Sequence, residues 1–187
     1  MKAGLFPRLA FRLRATRDKF TGTIRTSLLR LERASIGNRT NIPRLRITWP
    51  HQIKIGDNCI LEPDIFFKFD GIWCPGPSII IGNSVFIGRG CEFNIRKKIE
   101  IGDGCMIASG CKFVDHDHDV SLNNGVDIEF PIAIKRGVWL GANVIILKGV
   151  TIGDGAIVGA GAVVKKSIPS NEIWAGVPAK RIGLRTV

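Results

Sequence analysis

The chain has 187 residues, 45% of them apolar, and 27 Lys and Arg against 16 Asp and Glu give it a net charge of +11. That length and apolar share support one globular unit with a sizeable core and exclude a mainly disordered polymer. No uninterrupted apolar run reaches the roughly 18 residues of a bilayer span, and Arg8, Arg12 and Arg14 break the apolar N-terminus unlike a signal peptide, so a cytoplasmic protein is expected.

Residues 1–35 carry nine Lys or Arg against Asp18 and Glu32, a net +7 that leaves only +4 for the rest of the chain. Phe20, Ile24, Leu28 and Leu31 recur at helical spacing with Arg25, Arg30 and Arg33 on the flanks, which predicts a basic amphipathic helix weakened by Thr21, Gly22 and Thr23. Two roles stay open for it: packing on the following coil as a cap, or lying on the inner face of an anionic membrane. The segment lacks a groove-reading motif, and charge alone gives only salt-sensitive, nonspecific affinity, so no specific nucleic-acid partner is expected.

From residue 36 the pattern changes to a period of six. Ile36, followed by Gly37 and then Ile42, suggests one irregular first coil. Ile55, Leu61, Ile81, Ile87, Ile101, Ile107, Ile134, Leu140, Ile146, Ile152, Val158 and Val164 then each open a hexad, and the fourth residue after each opener is Cys, Val, Ala or Ile. A helix would spread this period around its circumference, whereas a short strand plus a turn repeats it faithfully. The expected fold is therefore all-β: a solenoid in which three hexads close a triangular coil and coils stack at about 4.8 Å. Glycines after the openers, such as Gly82 and Gly141, suit corners that need positive φ or close backbone approach.

Register breaks locate two insertions. One falls near residues 69–77, "FDGIWCPGP", and the other extrudes about residues 115–131. Phe67, Phe93 and Phe113 take the third opener slot of three successive coils and predict a core aromatic stack. Cys59, Cys91, Cys105 and Cys111 fall in the small inward column as apolar filler, while Cys74 sits in a loop without an assigned role. The odd count, without a CxxC pair, suits a reducing compartment. After Pro169 the pattern ends, and residues 170–187 are expected to cap the open coil.

The stretch "GVWLGANVIILKGVTIGDGAIVGAGAVVKKSIPSNEIWAGVPAKRI", residues 137–182, resembles the hexapeptide-repeat acyltransferases, particularly the galactoside, maltose and polysaccharide O-acetyltransferases. The resemblance covers residues 36–182 more loosely. It implies a left-handed parallel β-helix, a homotrimer, and acetyl-CoA as donor to a sugar or glycan acceptor; the basic helix, if it lies where lipid-linked glycans are built, adds surface polysaccharide biosynthesis as the expected setting. In that family a histidine at the root of the extruded loop activates the acceptor hydroxyl. Laying "CKFVDHDHDV" on the family pattern puts His118 there, with His116 as the close competitor.

Acetyl transfer to a hydroxyl needs a base that is neutral near pH 7, which suits imidazole, and Asp115, Asp117 or Asp119 could hold the ring and favour the imidazolium. A metal fits poorly. The three aspartates imitate the first EF-hand ligands, but Val120 stands where Gly is required and Val126 where Glu is required. A zinc site would need a third histidine, and only His51 remains. No metal is expected.

The resemblance also places Asn94 near the acceptor, the pantetheine arm against Ala142 and Ala160, and the nucleotide phosphates near Lys165, Lys166, Lys180 and Arg181. Trp139 precedes an opener and points outward, toward either the donor groove or a subunit contact. Direct transfer in a ternary complex is expected, since no Ser or Cys sits in a nucleophile motif. Two other readings are a non-catalytic solenoid scaffold and an N-acetyltransferase acting on an amino-sugar nucleotide.

Overall fold

The computed structural model describes residues 20–118 and 127–186; of His118 and Asp127 only the backbone is described. The six-residue period becomes three parallel sheets that stack coil upon coil. Numbering strands along the chain, the first face holds β1 (Ser35–Ile36), β3 (Ile53–Ile55), β6 (Ile79–Ile81), β9 (Ile99–Ile101), β14 (Ile132–Ile134) and β17 (Thr151–Ile152). The second holds β4 (Ile60–Leu61), β7 (Phe86–Ile87), β10 (Met106–Ile107), β15 (Trp139–Leu140) and β18 (Ile157–Val158). The third holds β2 (Arg46–Ile47), β5 (Phe66–Phe69), β8 (Glu92–Ile95), β11 (Lys112–Val114), β16 (Ile145–Leu147) and β19 (Val163–Val164).

All twelve openers are buried, and so is every residue of the column four places later. The core is therefore a set of vertical stacks. On the third face Phe67 lies 4.9 Å from Phe93, and Phe93 lies 4.5 Å from Phe113 with the rings within 2° of parallel. The buried thiols donate to carbonyls of the next coil: Cys59 to Gly82 (3.1 Å), Cys91 to Ala108 (3.2 Å), Cys105 to Lys135 (2.9 Å) and Cys111 to Gly141 (3.2 Å).

The glycines that follow the openers serve close approach, not positive φ. A Cβ on Gly141 would meet the Ala160 nitrogen at 2.6 Å. Positive φ belongs instead to the third residue after every opener from Ile55 to Val158, as at Asn143 and Gly161, and from position 58 to 161 that slot is always Gly, Asn, Asp or Ser. Left-handed backbone there turns each corner, and these are the residue types that tolerate it.

The N-terminal helix, α1, spans residues 20–31 within the described part of the predicted segment. It sits on the first coil, but through the face opposite the apolar stripe. Gly22 packs against the Asn41 side chain, Thr26 is buried, and Arg30 donates to the carbonyls of Ile36 (2.8 Å) and Gly37 (3.2 Å). Phe20, Ile24, Leu28 and Leu31 remain exposed. Leu29 on the same side packs half-buried against the core, while at Gly22 and Thr26 the helix backbone approaches the coil closely enough to favour small residues.

The C-terminal tail adds two strands to the second sheet. β20 (Glu172–Ala175) pairs in parallel with β18, and β21 (Lys180–Leu184) returns antiparallel to β20.

Candidate functional site

The second insertion leaves the third face directly after β11. β12 (His116–His118) and β13 (Asp127–Glu129) pair antiparallel, His116 opposite Glu129 and His118 opposite Asp127. Asp115 fixes the root of this hairpin. Its carboxylate is fully buried and accepts three backbone N–H groups from the corner of the coil below: Arg96 at 2.8 Å, Lys97 at 2.8 Å and Lys98 at 2.9 Å. Burying a carboxylate is costly, and three amides supply the compensation. The backbone is tied as well, Asp115 donating to the Asn94 carbonyl (3.3 Å) and Phe130 donating to the Asp115 carbonyl (2.9 Å).

His116 lies inside this root, its side chain only 8% exposed. Nδ1 donates to Asp115 Oδ1 at 3.0 Å, and Nε2 stands 3.8 Å from Asp70 Oδ2. Asp70 is held in turn by the Lys68 ammonium at 2.8 Å. Sequence reasoning missed Asp70. The signal was available in the register, because Asp70, Arg96 and His116 each stand three places after a third-face Phe in successive coils. Asn94 lies in β8 between Lys68 and Val114 and is half-buried; it is a strand residue, not a corner residue. Asp117 pairs with Lys148 at 2.8 Å. Asp119 lies outside the described residues.

His51 is used elsewhere. Its ring sits between Trp49 and Trp73, at 5.9 Å and 5.7 Å, with Nε2 3.0 Å from the Cys74 carbonyl. Among the described residues, no group of three His, Cys, Asp or Glu side chains is placed to hold a metal ion.

The residues expected to meet a donor fall in two places. Lys165, Lys166, Lys180 and Arg181 line one recess of about 400 Å³ with Trp174, Pro178 and Ala179. Arg181 is the least available of the four cations, since Nε lies 3.1 Å from Glu172 Oε1, whose other oxygen accepts from the Trp174 indole at 2.7 Å. Ala142 and Ala160 occupy stacked corners between the second and third faces, joined by the Gly161 N–H donating to the Ala142 carbonyl at 2.8 Å.

Trp139 is half exposed on the second face, in an outward column that reads Ile60, Phe86, Met106, Trp139, Ile157, Ile173 from coil to coil. The equivalent column of the first face reads Lys54, Ile80, Glu100, Ala133, Thr151. The outward column of this wall is therefore apolar from Ile60 to Ile173, with Asn41 bridging to Ile60 on the first coil, and this pattern went unread in the sequence because each member lies in a separate hexad.

Three of the four core thiols are held protonated, while Cys111, fully buried, is lowered by its contact with Cys91. Burial pushes the Cys105 thiol up to about 11 and raises Cys59, while contact with Cys111 and burial together raise Cys91. Thiols held protonated are poor nucleophiles.

Comparison with known proteins agrees with this architecture. Residues 131–166 match the family described as bacterial transferase hexapeptide (six repeats), and residues 78–111 match the hexapeptide repeat of succinyl-transferase. Galactoside O-acetyltransferase of Escherichia coli is 35% identical over 131 residues, 68% of this chain and 62% of the relative, so the match spans less than two thirds of that protein. The structure of a galactoside acetyltransferase in complex with coenzyme A superposes with a TM-score of 0.61 at 30% identity, over 87% of this chain and 70% of that one. A mutant of AntD, an N-acyltransferase from Bacillus cereus, in complex with dTDP-4-amino-4,6-dideoxyglucose and coenzyme A, gives 0.75 at 25% identity over 87% and 90%. Repeats, register and relatives converge: the chain belongs to the hexapeptide-repeat acyltransferases.

Proposed function

We propose that this protein is an acetyl-CoA-dependent O-acetyltransferase acting on a sugar hydroxyl, working as a homotrimer of left-handed coils, with His118 as general base. The observation that carries the reading is the Asp115 anchor, which fixes by three hydrogen bonds from backbone N–H groups the point where the His116–His118 strand leaves the coil beside Asn94. An enzyme has reason to hold that strand rigidly, because misplacing a base by an ångström is costly. His116 has Nδ1 on Asp115 and Nε2 3.8 Å from the Asp70 carboxylate, which supports a positioning role for it and proton transfer by the histidine two places on.

In the reaction, the His118 imidazole takes the acceptor proton as the hydroxyl oxygen attacks the thioester carbonyl. The carbon–sulfur bond then breaks, and the proton passes to the departing coenzyme A sulfur. Asn94 bonds the acceptor, the small corners at Ala142 and Ala160 admit the pantetheine arm, and the recess of Lys165, Lys166 and Lys180 takes the phosphates, with Trp139 at the contact between copies. Surface polysaccharide precursors are the acceptor class proposed.

The similarity to an N-acyltransferase bound to an amino-sugar nucleotide supports a second reading, amide formation on such a sugar. Incubation with acetyl-CoA and panels of neutral and amino sugars, read by mass spectrometry, separates the two, because an ester is lost in mild alkali and an amide is retained. Full turnover by His118→Ala, or failure of the folded protein to bind acetyl-CoA, would overturn the leading reading.

A further inference from the structure

We propose that the outer face of α1, together with Ile72 and Trp73 of the first insertion, seats the protein on an anionic lipid bilayer. At 100° per residue, Phe20, Ile24, Leu28 and Leu31 fall within about 80° of one another. Their exposure runs from 47% at Ile24 to 81% at Leu31, although the opposite side of the same helix is packed on the first coil. The stripe is thus aimed away from the body of the protein by the contacts of Gly22, Thr26 and Arg30.

The first insertion reaches the same end of the molecule. Trp73 lines a recess with Glu32 and Arg33, which directly follow α1, and Ile72 beside it is 90% exposed. An isoleucine projecting almost fully into solvent next to an exposed indole is expensive in water, whereas the bilayer interface favours both side chains.

Charge selects the occupant. Residues 1–35 hold nine cations and two anions, and the sequence just before Phe20 supplies Arg14, Arg17 and Lys19. Anionic headgroups complement that balance, at about 1 kcal/mol per basic residue near the surface. Shape points the same way: Leu28 lines a small recess with Leu29, Ile42, Leu45 and Ile47, whereas Leu31 and Ile72 project 81% and 90% exposed from a helix end and a loop. A bilayer asks only for depth. Insertion is peripheral, since among the described residues no helix is long and apolar enough to cross a membrane.

The test is co-sedimentation of the full chain with vesicles of phosphatidylcholine alone and of phosphatidylcholine containing phosphatidylglycerol. Binding is expected to the phosphatidylglycerol vesicles only, and to weaken about tenfold or more at roughly 0.5 M salt. The triple variant Ile24→Ser, Leu28→Ser, Leu31→Ser should lose about tenfold or more in partitioning while keeping the parent's thermal transition. Equal sedimentation with and without phosphatidylglycerol vesicles overturns the proposal. So does self-association of the parent that the triple variant abolishes, because the stripe would then be an interface between copies. Neither outcome touches the acetyl-transfer reading, which is read from acetyl-CoA binding in solution.

Discussion

Two histidines in "DHDH" stand two residues apart, and the proposed reading gives them different work. His116 is wedged between carboxylates, with Nδ1 on Asp115 at 3.0 Å and Nε2 near Asp70 at 3.8 Å. Replacing it with Asn keeps a donor for Asp115 and should preserve most of the turnover; replacing it with Ala should lower kcat about tenfold with little change in KM. His118→Ala should cost about a hundredfold or more in kcat with the fold intact. Steady-state kinetics on the three variants check the division, and a dead His116→Asn beside an active His118→Ala would reverse the two roles. Cys105 gives a residue-scale prediction of another kind. Its thiol is raised from 9.0 to about 11 in the folded state, so between those values the unfolded chain releases a proton that the native protein retains. From this thiol alone, stability falls as pH rises from about 9 to 11, by about 2–3 kcal/mol, beside the contributions of the raised Cys59 and Cys91 thiols. Cys105→Ala should flatten this alkaline decline in chemical denaturation at pH 8 and pH 11. An equally steep decline in the variant would assign it to other groups.

At the scale of elements, the hairpin of β12 and β13 depends on one buried side chain. Asp115→Ala leaves three corner amides without their acceptor, which should destabilise the protein by about 3 kcal/mol or more and free the hairpin for proteolysis. Thermal melts and timed trypsin digestion measure both; an intact hairpin in a variant of unchanged stability would show that the backbone bonds of Asp115 and Phe130 suffice. The same element shows what the sequence could and could not reveal. The openers, the cysteine column and the Phe67–Phe93–Phe113 stack were legible because each faces inward, where burial permits few residue types. The insertion at 115 was legible as a lost register. The face on which α1 packs was not. Amphipathicity points the apolar stripe inward, but close backbone approach at Gly22 and Thr26 outweighed it, and nothing in the helix's own periodicity encodes its distance from a neighbour. The meeting of Asp70 with His116 was hidden for a related reason: it joins two insertions across coils, and appears only when the three-after-Phe slots are stacked.

For the whole molecule, the apolar column of the second face is the surface proposed to join copies. Ile60, Met106 and Trp139 are each more than half exposed in the single chain, and they belong to a six-member column that contains no polar residue. A wall of this kind rising through successive coils exceeds the scattered exposure normal for a monomer and fits a surface repeated in register between subunits. If copies pack through it, Met106 and Trp139 lie at mid-height, and a carboxylate there must be buried without a partner, at a cost of several kcal/mol per subunit. Met106→Glu combined with Trp139→Glu should therefore yield folded monomers where the parent sediments as a trimer, with the circular dichroism spectrum retained because neither side chain points into the coil. Sedimentation velocity at micromolar protein gives the mass. The recess of Lys165, Lys166 and Lys180, proposed to take the donor phosphates, lies within one chain, so any contribution to acetyl-CoA binding should survive in the monomer, whereas turnover should fall if a neighbouring subunit completes the groove. A parent that is itself monomeric at that concentration, or a double variant that still forms trimers, would remove the apolar wall from the assembly and leave its exposure without a cause.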